Sequence, residues 1–326
     1  MANKSIKEES YFKNFQRFLN EAEGDGLVDI NAGPAAVLAA AAKVPQSILM
    51  AGQTDGAPND EKITINKGTL AAKDFIPTQK NIDADKSLAD QIYDLWGNLD
   101  VAISGGKVKS KEGAFPILTF GGNYIIDGHH RWSQACITNP NCVLETADIK
   151  APEVDSPEKA IALVHTMLFA LYGKSITKDV SGTNLVGLAP EKVKEMVTTG
   201  NGLKEGKPIV QSAIDKLFKA KLITEATAEA AGNMYAGNVQ YIKEGSFPRA
   251  IMPQPLDSGS PDGLTTTPAD AEAGKINYID PKSTDAKKES KIVKLQKQMI
   301  TLKENHKREK AILIGESALK KTQKKK

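Results

Sequence analysis

The chain has 326 residues, of which 40% are hydrophobic and 25% are charged, an ordinary composition for a protein that folds in water. Only 6% are aromatic, while 26 residues are glycine and 16 are proline, which argues against one compact domain of full length. The net charge is +3, yet residues 285–326 hold 14 Lys or Arg against 5 Asp or Glu, so the basic character belongs to the tail.

An amphipathic helix is predicted near the N-terminus, because apolar residues recur there at spacings of three and four. These residues are Tyr11, Phe12, Phe15, Phe18, Leu19 and Ala22. The stretch resembles the head-targeting leader of internal capsid proteins in large contractile-tailed phages. In such leaders a prohead protease cuts after Leu or Ile, any residue and Glu, when a small residue follows. The resemblance implies a cut between Glu21 and Ala22 and a contact with phage capsid proteins, and the alternative is a helix that packs on the folded domain.

The rest of residues 1–62 is predicted to be poorly ordered, apart from a helix at 35–44. The Ala-rich stretch 32–51 is apolar, but Lys43 and Pro45 interrupt it and no basic segment stands immediately before it. Neither a membrane-spanning helix nor a secretory signal is therefore indicated. We expect a protein that is neither membrane-bound nor secreted.

The folded part is expected to begin with a domain over residues 63–152, whose most informative stretch is 115–137. Outside that stretch, strands are predicted at 63–66 and 143–150 and a helix at 85–99. Within it, the predicted elements are a strand over 115–120, a tight turn at Gly121-Gly122, a returning strand over 123–126 and a helix from His129. The stretch therefore predicts a hairpin, a second turn and a helix.

The start of this helix has the chemistry of a phosphate cradle. Its first turn exposes unpaired backbone N–H groups and the positive end of the helix dipole, and Gly128 lets a ligand approach the backbone. Arg131 adds a planar fork that can hold two phosphate oxygens. His129 and His130 can donate hydrogen bonds or move protons near neutral pH. These residue types together predict phosphate binding.

The motif Asp127-Gly-His-His-Arg-Trp132 follows the hairpin, and Ile76-Pro-Thr-Gln79 lies further upstream. Together they resemble the ParB/sulfiredoxin superfamily, especially its phage-encoded ParB-like members, over about a third of the chain. The resemblance implies an α+β fold with a small mixed sheet and flanking helices. It also implies that the phosphates of a nucleotide are held by Gly128, His130, Arg131 and Gln79.

Three functions are compatible with these residues. The first is a phosphotransferase or NTPase that uses a nucleoside triphosphate with Mg²⁺, in which His129 or Asp127 takes a proton from the acceptor. The second is a ParB-like nuclease, in which Asp127, His129 and His130 gather a divalent metal that activates water. The third is a non-enzymatic internal head protein that associates with DNA. We expect action in the cytoplasm of an infected bacterium or inside the phage virion.

The C-terminal half is predicted to be helical. Residues 153–244 are expected to form an all-α domain, and residues 245–284, rich in Pro, Ser, Thr and Gly, a disordered linker. Residues 285–326 are expected to form a basic helix, because apolar residues from Ile292 to Leu313 recur at coiled-coil spacings. This helix is expected to self-associate or to contact DNA through its Lys and Arg side chains.

Overall fold

The structure, a computed structural model, describes residues 28–52, 61–110, 113–179 and 182–278, and short helical pieces at 294–295, 298–305 and 308. The predicted leader with Glu21 and Ala22 lies outside the described residues, as does most of the basic tail. Contacts with capsid proteins and with DNA, and self-association of the tail, therefore stay predictions. Within the described part of the chain, no helix is both long and apolar enough to cross a membrane.

A mixed sheet forms the centre of the molecule. Its five strands are β1 (Thr64–Ala71), β2 (Ile76–Pro77), β5 (Ile117–Phe120), β6 (Tyr124–Asp127) and β7 (Val143–Lys150), in the order β1-β7-β5-β6-β2. The pairs β1·β7 and β5·β6 are antiparallel, whereas β5·β7 and β2·β6 are parallel. A separate ribbon pairs β3 (Lys109–Ser110) with β4 (Gly113–Ala114). The predicted α+β class is confirmed.

The helices follow in chain order around the sheet. They are α1 (Pro34–Ala41), α2 (Gln46–Leu49), α3 (a π-helical turn Asp85–Ala89 and then Asp90–Ile92), α4 (Asn98–Ser104), α5 (His129–Thr138), α6 (Pro157–Tyr172), α7 (Pro190–Thr199), α8 (Gln211–Lys219), α9 (Ala228–Asn238), α10 (Pro255–Ser258) and α11 (Ala269–Glu272). The single helix predicted over 85–99 is wrong, because Asp94, Trp96 and Gly97 have φ angles of 55°, 60° and 70° that separate α3 from α4.

The predicted hairpin and helix start are confirmed. Gly121 and Gly122 have φ angles of 62° and 83°, the left-handed conformation that a tight hairpin turn requires. Gly128 has a φ angle of 99° and is the N-cap of α5. Trp132 in the next turn anchors this helix, since its buried indole Nε1 donates to the carbonyl oxygen of Ala72 at 2.7 Å.

Both faces of the sheet are apolar and covered by helices. Alternate hairpin residues point to opposite sides, so that Ile117 and Ile125 join one buried cluster while Leu118 and Ile126 join the other. The first cluster includes residues of α5, α7, α8 and α9, and the second includes residues of α1 and α6. The result is three layers, helices on sheet on helices.

The predicted separate helical domain over 153–244 is not what the structure shows. Helix α6 packs on the sheet itself, because its Ile161 and Val164 share a buried cluster with Leu118 and Ile126. Helices α7 to α9 cover the opposite face. A sheet that is apolar on both faces must be covered by helices on both sides. Helix α6 covers one face and helices α7 to α9 cover the other.

The predicted disordered linker is wrong for residues 245–278. Phe247 pairs with the sheet edge beyond β2, where its N–H donates to the carbonyl oxygen of Thr78 at 2.8 Å. Met252 and Leu264 are then buried in the same cluster as α6. Several prolines begin short helical segments here, since Pro255 is the first residue of α10 and Pro268 is the N-cap of α11, and the apolar residues between them pack on the core. The helix predicted at 35–44 is confirmed by α1, which packs on α6. The expected poor order is wrong for the described residues on either side of it, because Val28, Ile30 and Leu49 are buried in the same cluster.

Candidate functional site

A cavity of about 340 Å³ opens where β6 ends and α5 begins. Its walls come from α3, the first turn of α5 and the segment from Arg249 to α10. All six site residues predicted between Gln79 and Arg131 line it, namely Gln79, Asp127, Gly128, His129, His130 and Arg131. The sequence therefore located the cavity correctly, although the roles of these side chains differ from those predicted.

Gly128 lies at the N-terminus of α5, as its N-cap. No side chain caps α5, and the amide groups of its first turn have no acceptor within the helix. A side chain at Gly128 would crowd this position, because its Cβ would lie 3.0 Å from Arg131 Nη2 and 3.1 Å from Ile117 Cδ1. Glycine is thus required here by its positive φ angle and by the close packing of Arg131 and Ile117.

His129 is an anchor of the fold. Its Nε2 accepts hydrogen bonds from the backbone N–H groups of Thr78 and Gln79, each at 3.1 Å. The side chain is only 4% exposed, and burial, with the charges of Arg249 and Arg131, lowers its pKa to about 3. The lone pair that a general base would use is therefore occupied, which argues against the predicted catalytic role.

Arg131 is engaged by the protein. Its Nη1 donates to the carbonyl oxygens of Phe115 and Pro116, both at 3.0 Å, and its Nη2 donates to Asp127 Oδ2 at 2.9 Å. The guanidinium ties the start of the hairpin to its end, and burial nevertheless raises the pKa of Asp127. These bonds argue against the predicted phosphate contact of Arg131 and the predicted proton transfer by Asp127.

His130 and Gln79 are also turned toward protein partners. His130 Nε2 accepts from the backbone N–H of Asp83 at 3.1 Å and lies 3.4 Å from Arg249 Nη1. Burial and the positive charge of Arg249 hold the pKa of His130 well below 6.5, so the imidazole is neutral. The side-chain amide of Gln79 donates to the carbonyl oxygen of Asn81. His130 faces the cavity as an acceptor that orients a cation.

This cation is Arg249. It was not identified as a site residue from the sequence, because it lies in the segment predicted to be a linker. Its side chain is 4% exposed, its Nε has no hydrogen-bond partner, and it has no ion-pair partner among the described residues. His130 Nε2 lies 3.4 Å from its Nη1, and Asp83, Asp179 and Asp257 attract its charge from beyond ion-pair distance. A buried charged donor with an unpaired Nε is still unusual, because its desolvation is offset only in part. The neighbouring Phe247, Ile251 and Met252 were the available signal, since a linker seldom carries such apolar residues.

The cavity remains positive after its internal pairs are counted. Arg131 is paired with Asp127, and Lys178 with Asp257 at 2.8 Å. The charged residues that remain are Lys86, Lys109 and Arg249 against Asp90. Burial and the nearby Arg249 lower the pKa of Lys86, which shows that the two cations share one electrostatic environment. An anionic ligand would relieve this repulsion.

Comparison with protein-family models, with curated proteins and with solved structures finds no match for this chain.

The cavity does not fit a metal site held by the protein. Within the described ranges there is no group of three or more His, Cys, Asp or Glu side chains that could hold an ion. Asp127 and Asp257 are each bonded to a cation, and His129 and His130 accept backbone N–H groups. No described geometry therefore supports the predicted nuclease metal.

Two further residues complete the walls. Trp96 lies at the mouth of the cavity with 56% of its surface exposed, a large aromatic face that a planar ligand can cover. Asp90 also lines the cavity and accepts a hydrogen bond from Gln134 Nε2 at 2.7 Å. Burial raises the pKa of Asp90 to about 6, although Gln134 and Lys86 oppose the shift.

Proposed function

We propose that the cavity binds the phosphate groups of a nucleotide and that the protein is a ParB-like phosphotransferase or NTPase. The observation that carries this proposal is the buried guanidinium of Arg249. A buried guanidinium with an unpaired Nε and no ion-pair partner among the described residues, beside an uncapped helix start, is an arrangement that phosphate oxygens can satisfy. A phosphate would bring a negative charge into contact with the guanidinium and would provide an acceptor for its Nε.

The surrounding groups fit the same ligand. Lys86 adds a flexible ammonium, and the first turn of α5 adds backbone N–H groups along the positive end of its dipole. Trp96 offers a stacking surface for a base at the mouth, and such stacking is worth roughly 1–3 kcal/mol per base. A volume of about 340 Å³ lies in the range of small-molecule sites.

The resemblance to the ParB/sulfiredoxin superfamily supports a nucleotide as the ligand. One role is reassigned from the residue that the motif predicts to another residue. Gly128 keeps the position it has in the motif, whereas Arg249 makes the phosphate contact that the sequence predicts for Arg131. Among nucleotides, a nucleoside triphosphate fits the proposed activity, because its terminal phosphoryl group can be transferred to an acceptor. A Mg²⁺ ion would arrive with the nucleotide.

The test is a thermal-shift panel with ATP, CTP, GTP and ADP, each with and without Mg²⁺. We expect one of them to raise the melting temperature of the wild type, because a ligand at 100 times its Kd adds ~2.7 kcal/mol to stability. We expect Arg249→Met to lose this shift and to be at least as stable as the wild type without ligand, because an uncompensated buried charge has been removed.

The matched control is Lys216→Met, which removes a cation bonded to Asp94 and Asp100 outside the cavity. This variant should keep the whole nucleotide shift. A wild type that no nucleotide stabilises, or an Arg249→Met protein that keeps the shift, would show that the cavity does not hold phosphate through Arg249.

A further inference from the structure

Asp90 lines the cavity, and only one of its two carboxylate oxygens accepts a hydrogen bond in the described part of the chain. Asp90 lies in the last turn of α3 and lines the wall nearest to Lys86. Its Oδ2 accepts from Gln134 Nε2 at 2.7 Å, whereas its Oδ1 has no partner among the residues that the structure describes. Asp127 is bonded to Arg131 and Asp257 to Lys178, whereas Asp90 has an oxygen without a described partner and no described cation bonded to it.

A chain of amide hydrogen bonds fixes which oxygen that is. The backbone N–H of Lys109 donates to Asn98 Oδ1 at 2.7 Å, and a backbone N–H can only donate. Asn98 Nδ2 must therefore be the group that donates to Gln134 Oε1, at 2.9 Å. Gln134 in turn can present only its Nε2 to Asp90, so a proton on Asp90 has to sit on Oδ1.

Both the amide nitrogen and the amide oxygen of Gln134 are engaged in hydrogen bonds. Its Nε2 donates to the carbonyl oxygen of Lys86 as well as to Asp90, both at 2.7 Å, which accounts for both of its hydrogens. Both Gln134 and Asn98 are buried, at 4% and 0% exposure. The network joins α3, α4, α5 and β3, and it holds the Asp90 carboxylate in one orientation against the cavity.

The charged groups around Asp90 do not form an ion pair with it. Lys86 comes from the same helix and its charge acts on Asp90, while Lys109 of β3 and Arg249 also line the cavity. Desolvation outweighs the hydrogen bond from Gln134 and the charge of Lys86, so the pKa of Asp90 rises to about 6. A carboxylate in this range is deprotonated at neutral pH yet basic enough to take a proton.

We propose that Asp90 Oδ1 is the general base that removes the proton from the hydroxyl acceptor of the phosphoryl group. This assignment rests on the proposed nucleotide site. As the acceptor oxygen bonds to the terminal phosphorus, its proton passes to Oδ1. The bond from that phosphorus to the bridging oxygen breaks, the electron pair leaves on the nucleoside diphosphate, and Asp90 then releases the proton to solvent. The role predicted for His129 or Asp127 thus belongs to Asp90.

The test compares Asp90→Asn with wild type, using the nucleotide selected by thermal shift. Water, glycerol, glucose and ribose serve as acceptors, and nucleoside diphosphate is measured by chromatography. Asparagine keeps the bond from Gln134 and removes only the base. We expect turnover to fall by ~100-fold or more, with an unchanged nucleotide shift. The kcat/KM of wild type should rise as pH increases through 6 and then level off, and the variant should lack this rise.

The matched control is Asp100→Asn, a carboxylate on α4 outside the cavity, which should keep both the turnover and the pH profile. If the wild type binds nucleotide but Asp90→Asn keeps the turnover or the rise near pH 6, the assignment of Asp90 is overturned and the nucleotide site stands. Binding without any turnover by the wild type also overturns the assignment. If no nucleotide binds, the result contradicts the proposed function, and the assignment of Asp90, which depends on it, is rejected as well.

Discussion

Replacing Arg131 with alanine is expected to lower the free energy of unfolding by about 3–5 kcal/mol, measured by urea denaturation without ligand. The guanidinium is only 8% exposed and satisfies the carbonyl oxygens of Phe115 and Pro116 together with the Asp127 carboxylate. Its removal leaves a largely buried negative charge and two partly buried acceptors without donors. The loss arises from the hairpin itself and not from any ligand.

The double variant Arg131→Ala/Asp127→Ala is the control for this interpretation. Because it leaves no buried charge uncompensated, it should be more stable than Arg131→Ala alone. An Arg131→Ala protein that is as stable as the wild type, and has lost the nucleotide shift, would contradict the anchor role. That result would restore the phosphate contact predicted from the motif.

The local features of this fold could be predicted from sequence because their causes are local. Gly121-Gly122 permits the positive φ angles of the turn, and Gly128 permits those of the helix N-cap. Helix α6 is similarly specified at both ends, by the Ser156 side chain that accepts from the Lys159 N–H and by Gly173 in the left-handed conformation. Each of these signals acts over a few residues, and the hairpin turn and the start of α5 were predicted correctly.

The roles of the site residues could not be predicted, because they depend on distant partners. His129 accepts N–H groups from residues 50 and 51 positions earlier. Arg249 reaches the cavity only because Phe247 pairs with the edge of the sheet next to Gln79. The proline content of residues 245–284 suggested a linker, and composition carries no information about which carbonyl oxygen a backbone N–H will meet.

The same limit explains why Asp90 was overlooked. From the sequence it is one polar residue on a helix, and nothing near it in the chain distinguishes it from Asp94 or Asp100. Its environment is set by Gln134, which lies 44 positions later, and by Asn98 behind Gln134. The motif around Gly128 nevertheless lines the same cavity as Asp90, because Gln134 lies on the helix that the motif begins.

Asp90→Asn should also change how stability depends on pH, whether or not the protein is an enzyme. The pKa of Asp90 rises from 3.8 to about 6 on folding, so the folded state favours the protonated carboxyl. The stability that this preference contributes is fully present below pH 3.8 and is lost as the pH rises through about 6. Ionised Asp90 therefore destabilises the folded protein above pH 7.

We expect Asp90→Asn to be about 1–3 kcal/mol more stable than wild type at pH 8, since a tenfold change in acidity is worth ~1.4 kcal/mol and the open cavity screens part of the effect. The difference should disappear near pH 4, where both side chains are neutral. Urea denaturation at the two pH values measures it, with Asp100→Asn as the exposed control. Equal stability of variant and wild type at pH 8 would show that Asp90 is not desolvated, and would remove the electrostatic support for its role as a base.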